Sequence, residues 1–403
     1  MKPLFRVRFI AVLGLLLFLG GVSGEWRVAG EQIEKPVIIS NPKDPVPPPG
    51  ERTKIAFREE LSIGVEEGDE NYMFGKSIQA TADEKGCVYV LDWSRKRIQK
   101  YDPAGKFLFS IGRAGQGPGE FGNLWEMRFD AKGRIYITDI SNKKISFFDK
   151  ETGRFQDAIT LGIETGAVVL LSNGTYFTST NTREEKPDGV IWTVPYGIFD
   201  QKFKMKTEFR RDQINFVGLP GYADRARFVA GILSRSAYKP NVTTAVTDDE
   251  RIIVGFPDRY EFTVYDVFGE PRLLIKKDSE PQPVTERHKD YYFNTAVLSF
   301  LATSGGPSRP KDEDVRKAMT YPKILPAYRR IIPVDNGLLF VVTDTLPKAS
   351  TVDLFDRQGV YIGQFVTDVP TATLVFRNGK AYGVAEIDDY EYVKRYAYTV
   401  QKY

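Results

Sequence analysis

Histidine and cysteine are almost missing from this chain: His288 is the only histidine and Cys87 the only cysteine among 403 residues. A metal site built from several imidazoles, a cysteine-rich zinc site and an internal disulfide are all excluded. A Ser-His-Asp arrangement has one imidazole to draw on. Excess charge of either sign is also lacking, with 56 Lys and Arg against 53 Asp and Glu. Three of the basic residues, Lys2, Arg6 and Arg8, fall in an N-terminal leader, so the rest of the chain is balanced. Such a surface sets up no general field toward nucleic acid or anionic lipid, and neither is expected as a partner.

Long apolar runs are short of what a membrane requires. The stretch from Phe9 to Val22 spans 14 residues, below the roughly 20 of a spanning helix. Its basic start and the Val22-Ser23-Gly24 that follows match a secretory signal peptide over residues 1–24. No cysteine follows to carry a lipid, so an exported protein, periplasmic or secreted and without a stable membrane anchor after cleavage, is expected. Residues 36–50 (PVIISNPKDPVPPPG) hold six prolines, and the interval 25–50 reads as a Pro-rich linker ahead of one folded domain, residues 51–403. Apolar neighbours around Cys87 predict a buried thiol.

What the chain does have is a repeat. GCVYVLDWSRKRIQKYD (86–102) aligns without a gap on GRIYITDISNKKISFFD (133–149), 47 residues later. Each copy opens on a turn, Asp83 to Gly86 or Asp130 to Gly133, and runs into a strand that is apolar on both side-chain parities, so it must be covered on both faces. Weaker copies start at Ser172-Asn173-Gly174, Asp248-Asp249, Asp335-Asn336-Gly337 and Arg377-Asn378-Gly379, giving six units. Short antiparallel meanders of this kind bury themselves by stacking around an axis, so the predicted fold is all-β, a six-bladed β-propeller of four-stranded antiparallel blades. Lys54 to Leu61 is the expected closing strand for the last blade. Gaps of 76 and 87 residues between later turn signals leave seven or eight blades as the alternative. Residues 281–326 break the pattern and read as a partly helical insertion, with a helix over 288–301 presenting Tyr292, Ala296, Ser299 and Phe300 on one face.

The run GCVYVLDWSRKRIQKYDPAGKFLFSIGRAGQGPGEF (86–121) resembles the NHL-repeat proteins, in particular exported bacterial six-bladed β-propellers, most strongly over residues 78–160. The resemblance implies the fold; it implies little about activity, since such propellers include lyases, lactonase-like enzymes, RNA binders and many proteins of unknown role. The histidine-ligated metal of the propeller lyase that cleaves peptidyl hydroxyglycine cannot be assembled from one histidine, and lactonase-like members use acidic and amide ligands for which no motif is found here.

Glycine-rich GRAGQGPG (112–119) lacks the Lys-Ser/Thr and helix of a phosphate loop and reads as an interblade turn. Asp92, Asp139, Asp102 and Asp149 recur from unit to unit, which suits turn capping better than a catalytic pair. Arg97 and Lys143 flank the same turns, and two acidic runs, Glu66 to Glu70 and Asp388 to Glu391, lack calcium-loop spacing. Candidate ligand-binding residues are Trp93 and Arg95 in a polar turn, Trp125 before the innermost strand of the second unit, and Tyr292 in the insertion, which either covers a channel mouth or braces the fourth and fifth blades.

A module binding a peptide, glycan or protein ligand is expected, with no cofactor, no catalytic residue and no metal ligand assigned; the alternative is a lactonase-like or other hydrolase with one divalent cation in the channel. Elemental analysis of the purified mature protein should find no stoichiometric divalent metal, and one full equivalent of tightly held calcium or zinc would contradict this.

Overall fold

The computed structural model describes residues 35–403 except 222, 305–308 and 347–348, so the leader lies outside the described residues. Strands pair into six sheets; three are meanders contiguous in the chain, two take in a strand from the N-terminal segment, and one carries an extra strand beside its third. Blade I comprises Ile78–Ala82, Val88–Asp92, Arg97–Tyr101 and Phe107–Ile111; blade II comprises Leu124–Phe129, Ile135–Asp139, Lys144–Phe148 and Phe155–Thr160. Blade III opens with Val169–Leu170 and Tyr176–Ser179, blade IV with Thr243–Val246 and Ile252–Gly255, blade V with Arg330–Pro333 and Leu339–Leu346, and blade VI with Val375–Arg377 and Lys380–Ile387.

The repeat explains these sheets residue by residue. All five side chains of Val88–Asp92 and all five of Ile135–Asp139 are buried, as strands covered on both faces must be. Turn chemistry sets their starts: Asp83 Oδ1 accepts from the backbone N–H of Lys85 (3.0 Å) and Cys87 (2.9 Å), while Gly86 takes φ +80, a left-handed conformation glycine enters without a Cβ clash. The recurring aspartates cap turns as the repetition implied. Asp139 accepts from the N–H of Gly122, Asn123 and Asn142, and Asp102 from Ala104 and Lys106. Cys87 is buried, as its neighbours predicted.

Six apolar clusters fill the six gaps between successive sheets. Leu91 and Ile98 of blade I meet Met127 and Ile137 of blade II; Tyr136 and Phe147 meet Tyr176 and Phe199 of blade III; Phe177 and Ile198 meet Ile252 and Val254 of blade IV. Phe262 and Ile275 then meet Val341 and Phe355 of blade V, Phe340 and Leu354 meet Phe376 and Ala381 of blade VI, and Tyr382 and Val393 meet Ile78 and Val90 of blade I. The last of these closes the circle.

The closing strand is longer than expected, Thr53–Ile63, and pairs antiparallel with Tyr390–Lys402 from Thr53 opposite Lys402 to Ile63 opposite Val393. Ahead of it, Val37–Asn41 adds in parallel to the edge strand Pro271–Lys277 of blade IV. This corrects the spacer reading for part of residues 25–50. Val37 to Asn41 carries no proline inside it, so its amides are free to join a ladder, whereas the prolines that flank it are not. Asn41, buried, donates to the carbonyls of Lys276 (3.0 Å) and Gly359 (2.9 Å) and accepts from the N–H of Tyr361 (2.8 Å), stitching blades IV and V together.

The two long gaps hold excursions, not hidden blades. In blade III the third and fourth strands, Gly189–Phe199 and Met205–Asn215, are eleven residues each and overrun the sheet, with Thr182–Lys186 pairing alongside. Helix α1 (Arg225–Leu233) follows. After blade IV come α2 (Glu286–Tyr292), a π-helical turn (Phe293–Val297), α3 (Leu298–Ser304) and α4 (Asp312–Ala318). The helical run is present, but its buried positions are His288, Phe293, Val297 and Leu301. The wider π turn over Phe293–Val297 takes up an extra residue, and the fully buried positions fall one residue beyond Tyr292, Ala296 and Phe300. These residues share one core with Val229, Leu233 and Val315, so both excursions form a single helical cluster.

Gly363 lies where the chain entering blade VI crosses blade V: a Cβ there would stand 1.7 Å from the carbonyl oxygen of Thr53. Gly363→Ala should therefore cost about 2–4 kcal/mol in urea unfolding, because backbone has to move. Gly162→Ala, where nothing lies within 4 Å, should be close to neutral, and equal midpoints for the two variants would contradict the crossing.

Candidate functional site

One cavity of about 400 Å³ takes lining residues from the first strand of every blade, among them Gln79, Met127, Val169, Thr244, Arg330 and Phe376. Only the propeller axis meets all six strands, so this is the central channel. Its wall differs from the gaps between blades. Next to the axis a first strand has no neighbouring strand to cover it, and side chains there meet water or a ligand.

Four charged residues line the channel: Glu126, Arg128, Arg330 and Arg377. Glu126 and Arg128, two apart on one strand, pair at 2.8 Å. Arg377 at the far end of its strand pairs with Asp248 at 2.5 Å. Arg330 opens its strand and donates to the carbonyl of Thr371 at 3.1 Å, with no carboxylate within ion-pair distance among the described residues. Burial holds the Arg330 guanidinium below its ordinary pKa, with Glu126 acting in the opposite direction. For Arg128 burial also disfavours the charge, but attraction to Glu126 prevails and the shift is upward. Among the described residues no three His, Cys, Asp or Glu are placed to hold a metal ion, and Glu126 is the single carboxylate on the channel wall.

Of the four side chains singled out from sequence, one lines the channel. Trp125, second residue of the first strand of blade II, is 51% exposed and faces this cavity. Trp93 packs against the cluster between blades I and II. Arg95 stays with its own turn, its N–H donating to Asp92 Oδ1 at 3.1 Å and its Nε standing 4.0 Å from the same carboxylate. Tyr292 belongs to the helical cluster, donating to the carbonyl of Leu233 at 3.1 Å, with its ring beside Tyr238 and Tyr321. The structure does not bring these four together. No described residue of 281–326 lines the channel; the insertion packs toward blade V. His288 Nε2 reaches Asp344 of blade V at 3.2 Å, and Tyr328, just beyond the insertion, fills the gap between blades IV and V while donating to the carbonyl of Glu261.

Gln79, Glu126, Arg128 and Arg330 were missed. Their signal was present, since a charged residue on the strand nearest the axis of an otherwise apolar repeat has no neighbour to pack on, but finding it required the first strand of each unit to be located.

Two other polar clusters have carboxylates engaged by the protein's own groups. In GRAGQGPG the N–H of Gly117 donates to Glu120 Oε2 at 3.0 Å and Arg113 Nε to Glu120 Oε1 at 2.9 Å, so the loop holds a carboxylate of its own chain between blades I and II. A cavity of about 810 Å³ between blades IV and V contains Asp353 and Lys277. There the buried Asp353 accepts from Tyr260, Tyr361 and Gln364 and pairs with Lys277 at 3.3 Å. That carboxylate is fully satisfied and ties two blades together.

The fold and this channel define a class, the six-bladed β-propeller with a polar axial cavity. Comparisons agree. Residues 69–219 match the family model DUF5128, a 6-bladed beta-propeller. A presumed exported protein of Bacteroides fragilis is 12% identical at a TM-score of 0.52, over 91% of this chain and 100% of its own. A member of the DUF4221 family from Bacteroides vulgatus is 10% identical at a TM-score of 0.54, over 88% and 100%. At these identities the likeness is one of fold. No curated protein matches the sequence.

Proposed function

We propose that this protein is an exported binding module whose ligand enters the axial channel at the mouth carrying Trp125. The observation that carries this reading is the large indole left half in solvent on the wall of a cavity that the rest of the fold is built around. An exposed tryptophan offers a flat apolar face and an N–H donor, suited to the ring of a sugar or an aromatic side chain. A cavity near 400 Å³ takes a small molecule or the end of a longer peptide or glycan, not a folded domain. Export is supported by the leader-like residues 1–24 and by the presumed exported relative of like fold. No described helix is long and apolar enough to cross a membrane.

A hydrolase with one channel cation would have Glu126 as its single channel carboxylate among the described residues; binding is the reading adopted, on the exposed indole. Glycan and peptide arrays probed with the purified chain should yield ligands whose affinity falls about tenfold in Trp125→Ala, the worth of one aromatic contact. Ligands held equally by wild type and Trp125→Ala would place the binding surface elsewhere.

A further inference from the structure

Charge along the channel does not cancel. Glu126 answers Arg128, and Asp248 answers Arg377. Arg330 is left over, partly buried, with one carbonyl as its protein acceptor for a group that carries five N–H donors. A guanidinium withdrawn from water without a counter-charge is costly, and the cost is removed when an anion supplies one.

Two further donor-bearing residues, Arg128 and Gln79, line the same space. Arg128 Nε is buried with no protein acceptor. Gln79, which lines the cavity, accepts at its side-chain oxygen from the N–H of Met127 at 3.2 Å, and its amide nitrogen is a further donor. Against these donors the wall presents one carboxylate, Glu126, already engaged. Arg330 and Trp125 stand at the first and second positions of their strands, hence at the same mouth of the channel.

Building on the channel as binding site, we propose that its ligand is a monoanionic carboxylate attached to a flat ring, the carboxylate held by Arg330 with help from Gln79 and the ring lying against Trp125. One uncompensated positive charge balances one negative charge. The guanidinium fork matches a planar carboxylate with two parallel N–H···O bonds. A phosphate monoester would bring close to two negative charges beside Glu126 and leave one unanswered, so it should bind less well than the carboxylate.

The test uses sodium benzoate, benzamide and phenyl phosphate as probes on the purified full chain, each at about 10 mM with ionic strength matched, read by thermal unfolding and by equilibrium dialysis. Benzoate should raise the unfolding temperature, benzamide should not, and phenyl phosphate should do so less than benzoate. Arg330→Met should weaken benzoate about ten- to a hundredfold, the value of a charge-assisted pair, while its unliganded unfolding temperature stays near wild type. If that variant fails to fold, Arg330→Lys, which keeps the charge and loses the fork, should still show weaker benzoate binding. Equal binding of benzoate and benzamide, lost in Trp125→Ala, would overturn the anion and leave the channel site standing. Benzoate binding untouched by both Arg330→Met and Trp125→Ala would overturn the channel site as well. Absence of any benzoate effect, or tighter binding of phenyl phosphate, would overturn the monocarboxylate.

Discussion

Every sheet of this protein is apolar on both faces, and that one constraint organises the rest. Residues such as Val88, Tyr89, Val90 and Leu91 are fully buried in a row, so neither face of blade I can look at water. A sheet of this kind needs a neighbour on each side, each neighbour needs another, and a chain with a limited number of sheets meets the demand by forming a ring. Six interblade clusters, the last of them joining Val393 to Ile78, are that demand satisfied. No disulfide contributes, and the single thiol is buried, with its pKa pushed up by burial.

A ring of sheets leaves one place where its inner surface is uncovered. Along the axis the first strands present side chains that no further strand packs on, and it is there that Trp125, Glu126, Arg128 and Arg330 are found. The chemistry of the channel is thus a by-product of closure. The same logic explains why other polar clusters are inert. Asp353 and Glu120 lie inside or between blades, where donors of the fold itself engage both oxygens of each carboxylate.

The ring was legible because the constraint leaves a periodic trace: turn, two-faced strand, polar turn, at a spacing of 47 residues. The closing strand was legible as well, since Ile55 and Phe57 alternate and both pack between blades V and VI. Proline content hid Val37–Asn41, because a flanking proline says nothing of the five residues between. A π turn hid the inward face of the insertion, since periodicity of 3.6 cannot register an extra residue in one turn. The site was harder still. Trp125 stood out by its size, whereas Arg330 sits in YRRIIPVD with nothing local to distinguish it from a solvated arginine; that it forms no ion pair among the described residues is a property of the assembled ring.

Native-state hydrogen exchange on the strand that joins the two ends of the chain tests radial closure most directly. The amides of Thr53–Ile63 hydrogen-bonded to Tyr390–Lys402 should exchange only through global unfolding, at the same slow rate as those of Val88–Asp92 and Ile135–Asp139. Exchange of the closing strand orders of magnitude faster than these core strands would contradict it, because a strand that leaves blade VI by itself is not what holds the circle shut.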